Sequence, residues 1–455
     1  RKISSGVLER KSDRNKQERK ISSGVLERKS DRNKWEEKFL QRIIESKSDR
    51  NKQEKELAKM KIRSYIKKRI IHRLVSMQLI GILIISLFTG CAKETSSLTT
   101  SGFAFNTTYT ITVYQGGTQK TLDTCVSKCA DYEQVFSRTS KNSELYQINQ
   151  IEALYLTVVE QAMDLKDSFT KKRSYTKEQC ESIVKQIEQK KTKENTVKYS
   201  IRQDGSITFE ISAWLERIVK KGLEYSKKSD GRFDIAIEPV SSLWDFTVKK
   251  PTVPDEQKIE KALAYVDYQK IALDDQKLTF QMPGMGIDLG GIAKGFIADE
   301  LKTYLEKKGV KSAVIDLGGN VLCIGKKDPK TPFHIGIQQP FADRNETIAA
   351  VSVDGLSIVS SGIYERYFKT KDGTLYHHIL NPKTGYSYDN DLMAVTILSK
   401  KSVDGDGLST SCFALGKKEG LAFINNIDGV EAVFITKDEK MHYSKGFSKY
   451  LYKQK

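Results

Sequence analysis

Hydrophobic and polar positions divide the chain into stretches of different period. Tyr109-Thr-Ile-Thr-Val-Tyr114 alternates, as a half-buried strand does. From Leu122 to Phe136 apolar residues recur at intervals of three and four, which predicts a helix, and Phe209 to Ser229 carries the same spacing. Residues 168–201 are rich in Lys and poor in large apolar residues, which predicts an inserted, partly helical, solvated segment. Glycines concentrate between 284 and 336 among short β-rich runs, Ala313–Ile315 and His334–Ile337. Further strands are expected at Leu356–Ser360, Ala394–Ser399 and Glu431–Ile435. Helices and strands mix without a regular βαβ rhythm, so the expected class is α+β.

The upstream part reads differently. Residues 1–18 recur at 19–36 with Trp35 for Gln17, and a degraded third copy fills 37–54. Each copy offers a helix face only Ile3, Val7 and Leu8 or their equivalents, too little apolar area to fold alone. Residues 1–59 are therefore expected to be a disordered leader or non-native upstream sequence. From Met60, six cationic residues (Lys61, Arg63, Lys67, Lys68, Arg69 and Arg73) precede the uncharged run Leu74–Gly90 and then Cys91. That order is the order of a secretory signal. Leu87-Phe88-Thr89-Gly90-Cys91 resembles a bacterial lipobox, which makes Cys91 the expected lipidation site. An ordinary membrane anchor is the alternative, and both place the rest of the chain on the extracytoplasmic face of the cell membrane. The expected division is a signal peptide over 60–90, a linker over 91–102 and a folded domain over 103–455.

Charge changes the picture once it is divided along the chain. The net charge is +18, but residues 1–76 hold 25 Lys and Arg against 11 Asp and Glu, which leaves 51 against 47 for the remainder. The folded part is nearly balanced, so a general nucleic-acid footprint is not expected. Six cysteines are scattered without a C-x-x-C pair. Cys125 and Cys129 share one helix face and read as small buried apolar residues, with a disulfide or metal pair as the alternative.

Candidate chemistry centres on Gly286-Ile-Asp-Leu-Gly-Gly-Ile-Ala-Lys-Gly295. Glycines after an acidic residue, then Lys294 at the start of a helix-compatible run, suit backbone laid against a phosphate. Asp316-Leu-Gly-Gly-Asn320 partly repeats it, and a second phosphate-facing loop is expected there. Asp406 and Thr410 lie one helical turn apart; they suit Mg²⁺ as hard oxygen ligands, or Asp406 is the N-cap of a helix running to Gly416. His377 and His378 precede the polar turn Asn381-Pro-Lys-Thr-Gly385.

Taken together these motifs resemble the FAD:protein FMN transferase (ApbE-type) family over roughly 103–440. The likeness rests on Phe136-Ser-Arg138, Ser143-Glu144, Ile148-Asn149, Ser229-Asp-Gly-Arg-Phe-Asp234 with Pro239 and Leu243-Trp244, and the Asp288 and Asp316 loops. It continues through Gly336-Ile-Gln338, Ser360-Ser-Gly362, His378 to Gly385 and Asp406 to Thr410. The resemblance implies a T-fold-like α+β domain with mixed or antiparallel sheets and packed helices. It implies Mg²⁺ on Asp406, Thr410 and the Gly291 carbonyl, with FAD as donor. Flavin-nucleotide contacts fall on Thr107, Thr139, Arg232, Phe233, Asp234, Asp288 and Lys294. His378 is placed beside the diphosphate and, with Asp406, is the candidate catalytic residue. The implied reaction moves FMN onto a Thr or Ser hydroxyl of an exported acceptor protein and releases AMP. An FAD pyrophosphatase and a non-catalytic extracellular flavin-binding lipoprotein are the competing functions. The chain departs from the family pattern at Phe105-Asn106-Thr107, where the family has Met-Gly-Thr, at Thr139, where an aromatic is common, and in the length of 168–201.

Overall fold

The computed structural model describes residues 97–162, 174–343 and 345–453. The repeats, the signal segment, Cys91 and residues 163–173 of and before the Lys-rich stretch lie outside the described residues. The first elements begin where local chemistry permits. Strands β1 (Leu98–Ala104) and β2 (Thr107–Gln115) form a hairpin whose two turn residues, Phe105 and Asn106, both take left-handed backbone, φ 56° and 57°. A two-residue turn of this kind matches strand twist, and Asn accepts the left-handed region at little cost. The departure from Gly at 106 therefore preserves the turn. Thr118 caps α1 (Gln119–Phe136), where Leu122, Cys125, Cys129, Tyr132 and Phe136 are buried on one face. Both cysteines are free, and burial pushes each thiol up to about 12, so they serve as small apolar fillers.

After α2 (Glu144–Ala162) the described part of the Lys-rich stretch corrects the expectation of a solvated insert. Its helix α3 (Lys177–Lys190) buries Cys180, Ile183 and Ile187, and β3 (Tyr199–Ile201) enters a sheet. Asn195 clamps the segment onto α2 through the Gln147 carbonyl at 3.0 Å and Gln150 Oε1 at 2.8 Å. Three apolar residues at helical spacing are enough to dock it; the lysines occupy the other face. The helix expected from Phe209 also divides. Residues Ile207–Glu210 form β4, and α4 (Ala213–Lys228) starts only after Ser212, whose hydroxyl accepts the Leu215 N–H. Short helices α5 (Glu238–Ser241) and α6 (Glu256–Leu263) lead to β5 (Ile271–Asp274) and β6 (Lys277–Phe280). These complete an antiparallel four-stranded sheet, order β3-β4-β6-β5.

The larger sheet uses the second half of the chain. Helix α7 (Ala293–Lys307) precedes β7 (Ser312–Leu317) and β8 (Asn320–Ile324), followed by β9 (Phe333–Gln338), β10 (Thr347–Val353) and β11 (Ser357–Gly362). The small hairpin β12 (Tyr367–Lys369) and β13 (Leu375–His377) comes before β14 (Leu392–Ser399), α8 (Ser402–Ile424), β15 (Glu431–Thr436) and β16 (Met441–Tyr443). Eight strands run antiparallel in the order β1-β2-β7-β8-β11-β14-β15-β16. Every residue of β14 is buried, and α7 and α8 pack on this sheet. The class is α+β, as the sequence predicts. A satellite core gathers around Trp244, whose indole N–H donates to the Gly385 carbonyl at 2.9 Å. That bond ties the Leu243-Trp244 motif to the turn at 381–385.

One buried acid gives the fold a pH dependence. Glu152 of α2 is fully buried; Oε2 accepts the Gly284 N–H at 3.0 Å, and Oε1 has no partner among the described residues. Burial raises its pKa well above the carboxylate range. Below the unfolded-state pKa the carboxyl is protonated in both states and costs nothing. As pH rises through and above that value, the folded state holds the proton more tightly, so stability falls until the raised folded pKa is passed. Glu152→Gln is expected to remove this slope, so its melting temperature gains on the wild type between pH 5 and 8. Parallel melting curves across that range would contradict the assignment.

Candidate active site

The site is built where α7 and α8 begin. In a regular helix the Gly295 N–H would bond to the Gly291 carbonyl. Here it donates to Asp406 Oδ2 at 2.6 Å, and the Gly291 carbonyl accepts no hydrogen bond among the described residues. Gly295 is a glycine for a steric reason: a Cβ there would overlap the Ser402 carbonyl, so the two helices touch backbone to backbone. The other Asp406 oxygen accepts from Asn320 Nδ2 at 2.9 Å, and Asn320 Oδ1 accepts from the Ser402 hydroxyl at 2.6 Å. Asp406 is not an N-cap. Helix α8 begins four residues earlier, and Asp299 of α7 accepts the Ser402 and Val403 N–H groups at 2.8 and 3.0 Å. Gly416 interrupts this helix with φ 77°, and it resumes to Ile424.

Asp406 is 5% exposed, and burial raises its pKa while the Lys294 ammonium lowers it. One turn on, the half-buried Thr410 hydroxyl lies 3.3 Å from Ser361 Oγ of β11. Asp406, Thr410 and the Gly291 carbonyl are hard oxygen donors, and the carbonyl has been left unengaged by the start of α7. These residues fit Mg²⁺, and a bound cation would offset the cost of a buried carboxylate. The Gly291 and Lys294 N–H groups also make no hydrogen bond among the described residues, which suits an anion at this helix start.

Lys294 also connects Asp406 to His378. Its charge acts on both, lowering the imidazole pKa together with Arg366 and His377, although crowding by surrounding atoms is the largest cause. More than a third of the His378 surface remains open, so the ring is neutral yet reachable. Its ring has the Arg366 carbonyl as an acceptor, which raises its basicity against the larger effect of crowding. His377 is the opposite case. It is buried, Nδ1 accepts the Ile379 N–H at 3.3 Å and Nε2 faces the Tyr388 carbonyl at 3.0 Å, so both nitrogens are committed. Of the adjacent pair, His378 is the one exposed to solvent.

The remaining candidates divide. Phe233 packs under the glycine loop, where a Cβ on Gly291 would meet its ring at 2.9 Å. Thr107 abuts Gly318 in the β7–β8 turn. That turn shows the second glycine loop to be a different structure from the first: Gly318 and Gly319, φ 61° and 86°, form a tight hairpin, whereas Gly290 and Gly291 lead into a helix. Its contribution is Asn320. Asp288 holds the first loop, taking the Gly290 N–H at 2.8 Å and the Ser241 hydroxyl at 2.8 Å, with Arg138 Nε at 3.5 Å. Asp234 has both oxygens occupied by backbone, the Ala236 N–H at 2.7 Å and the Tyr268 N–H at 3.1 Å, which describes a cap. Arg232 pairs with Glu419 at 3.3 Å, and Thr139 is exposed in a turn organised by Ser137. Among the described residues no hydrogen bond or ion pair joins Asp234, Arg232 or Thr139 to Lys294 or Asp406.

Several residues of the site receive no role from the sequence, although Asn149 stands in one of the motifs. Glu238 stands 3.8 Å from Arg138 and is pushed up to about 7, mainly by burial. Asn149 of α2 grips the Ile287 backbone twice, at 2.9 and 3.0 Å. Ser241, Asp299 and Arg366 likewise join the site only through the fold.

The profile of the ApbE family matches residues 156–434. A FAD:protein FMN transferase of Klebsiella pneumoniae is 41% identical over 211 residues, 46% of this chain and 65% of that protein. One from Treponema pallidum is 33% identical over 259 residues, 54% of this chain and 71% of that protein. The solved structure of the flavin transferase ApbE from Vibrio cholerae superposes with a TM-score of 0.60 at 22% identity, covering 78% of this chain and 99% of that one. At that identity the structural likeness speaks to the fold. The alignment with the Klebsiella relative stops short of two thirds of its length.

Proposed function

The chain belongs to the ApbE family, and from that premise we propose that it moves FMN from FAD onto a Thr or Ser hydroxyl of an exported acceptor protein, releasing AMP. The observation that supports this most is Lys294, whose charge acts on both Asp406 and His378, in the same turn as the unengaged Gly291 carbonyl and with Thr410 one turn on from Asp406. The acceptor oxygen attacks the phosphorus on the FMN side; a P–O bond forms to the protein, and the bond to the bridging oxygen breaks toward AMP. Mg²⁺, held by Asp406, Thr410 and the Gly291 carbonyl, would offset negative charge on the diphosphate. Lys294 adds a fixed positive charge. His378 is neutral and can take the hydroxyl proton, and a diphosphate beside it would counter the cations that now depress its basicity. Asp288 acts on the loop, fixing the turn that carries Gly290 and Gly291.

The test is intact-mass measurement of an acceptor domain incubated with this protein, FAD and Mg²⁺. The acceptor should gain one FMN less water, with AMP in equal amount, and lose the gain when its target hydroxyl is removed. His378→Ala is expected to slow transfer by about 10²-fold or more while FAD affinity changes little. Free FMN and AMP with no labelled protein would replace this reading by an FAD pyrophosphatase. The proposal extends to location, on the strength of the cationic segment, apolar run and Cys91 in order. Cys91→Ala should free the protein from the membrane fraction or leave an uncleaved precursor, and unchanged size and fractionation would remove the lipid anchor from the account.

A further inference from the structure

Between the Phe136-Ser-Arg138 motif and the glycine loop, one cation is shared by two carboxyl groups, and the proposed reaction uses only one of them. The turn that carries Arg138 is fixed by Ser137, whose hydroxyl accepts the Thr139 and Ser140 N–H groups and whose carbonyl accepts the Ser143 hydroxyl. From there the guanidinium reaches α5: Nη1 donates to the Ser241 hydroxyl at 3.1 Å and Nη2 to the Ser241 carbonyl at 3.4 Å. Nε stands 3.5 Å from Asp288 Oδ2, which also accepts the Ser241 hydroxyl, while Asp288 Oδ1 holds the Gly290 N–H. Arg138, Ser241 and Asp288 form a chain of contacts that ends on the backbone of the loop.

Glu238 is the second carboxyl. Its Oε1 lies 3.8 Å from Arg138 Nη1, too far for a hydrogen bond, and the carboxyl makes none among the described residues. The other oxygen leans on the start of the same loop, where a Cβ on Gly286 would stand 2.9 Å from Glu238 Oε2 and 3.3 Å from Asn149 Oδ1. The loop is thus tied down by Asp288 at Gly290 and flanked by Glu238 at Gly286. Burial opposes ionisation of Glu238 most, Asp288 adds to it and Arg138 counters it, with the result that the carboxyl is pushed up to about 7. Asn149, from α2, is uncharged. Asp245 feels the same guanidinium but is exposed to water.

Ionising Glu238 has two consequences. Two carboxylates then compete for one guanidinium, which draws Arg138 from Asp288 and Ser241 and loosens the Gly290 turn. The loop also gains a negative charge where an anionic diphosphate must approach. Resting on the reading of FAD as donor, we propose that Arg138 and Glu238 are positioning residues for the nucleotide-binding loop, and that FAD binds tightly only while the Glu238 carboxyl is neutral. The sign follows from linkage: a ligand that favours the protonated form takes up a proton on binding and loses affinity as pH rises through the carboxyl's midpoint.

The test titrates the full chain with FAD at fixed Mg²⁺ between pH 6 and 8, by flavin fluorescence and by calorimetry in buffers of different ionisation enthalpy. The wild-type dissociation constant should rise about tenfold across that range, and binding at pH 7 should take up about half a proton per FAD. Glu238→Gln keeps the shape of the side chain and stays neutral, so it should hold the low-pH affinity throughout. Arg138→Gln removes the charge that favours ionised Glu238; the loss of affinity should then begin at higher pH. A slope of wild-type size in Glu238→Gln would assign the proton to His378 beside the diphosphate and overturn the proposal. A midpoint that stays or falls in Arg138→Gln would overturn it as well. FAD bound by the wild type with equal affinity at every pH sinks this inference and leaves the transferase reading intact. If the wild type binds no FAD at any pH, the transferase reading falls, and this proposal with it.

Discussion

Asp406→Asn is expected to lower FMN transfer by about a thousandfold, which corresponds to about 4 kcal/mol of lost transition-state stabilisation. The substitution keeps the side-chain volume but exchanges one acceptor oxygen for a donor. Either the Gly295 N–H, now 2.6 Å from Oδ2, or the Asn320 amide, now 2.9 Å from Oδ1, then faces another N–H. One buried donor left unpaired costs about 1–3 kcal/mol, so the melting temperature should fall by several degrees without loss of the fold. The charge lost is the one that Lys294 and the proposed Mg²⁺ both require. The rate should therefore be measured below the variant's melting range, with and without chelator, beside a Mg²⁺-binding isotherm. A variant that transfers at near the wild-type rate in chelator would end the assignment of Asp406 to the metal.

Gly295→Ala is expected to cost about 3 kcal/mol of stability and most of the activity, although it adds a single methyl group. The methyl would overlap the Ser402 carbonyl and approach the Val403 nitrogen within 2.7 Å. Both are backbone at the start of α8, so a side-chain rotation gives no relief and the helix must shift. Any shift pulls Asp406 from the Gly295 N–H and moves Thr410 with it. Gly309→Ala supplies the comparison. Gly309 has φ 81° and open space around it, so the expected cost is strain alone, about 1–2 kcal/mol, with transfer preserved. Urea denaturation of both variants reads the difference. Equal midpoints for the two would mean that α7 and α8 do not meet as described.

The sequence makes the strands and the glycine-rich loop legible because both are written locally. A period of two at Tyr109–Tyr114 needs no partner to be recognised, and Gly290 and Gly291 announce close backbone approach by themselves. Elements failed where the deciding residue lies far along the chain. Asp406 reads as a cap because a carboxylate near a helix start usually is one; the actual cap, Asp299, is 103 residues from Ser402. The helix predicted from Phe209 starts later in the structure because Phe209, which sits in β4, falls in phase with the helix after Ser212. The docking of 174–201 was hidden by lysines that outnumber Cys180, Ile183 and Ile187 but face away from them. Within the site, Lys294, Asp406 and Thr410 stand out in the sequence by short spacings, and the metal role of the last two is what the family resemblance implies. Glu238, Ser241 and Arg366 do not stand out, since their partners Arg138, Asp288 and Asn106 are assembled only by the tertiary structure.

Helices α7 and α8 each finish the other's first turn: Asp299 of one accepts N–H groups at the start of its neighbour, and Asp406 of that neighbour accepts one in return. Such an exchange has no halfway form. Neither helix can be correctly begun until both are docked, so the oxygen donors of the site come into register in the same event that joins two segments roughly a hundred residues apart. A chain divided between Gly309 and Lys401 would hold two incomplete helix starts and no site, and would regain one only by reassembling. The proposed site would thereby be complete only in a molecule whose α7 and α8 have already docked.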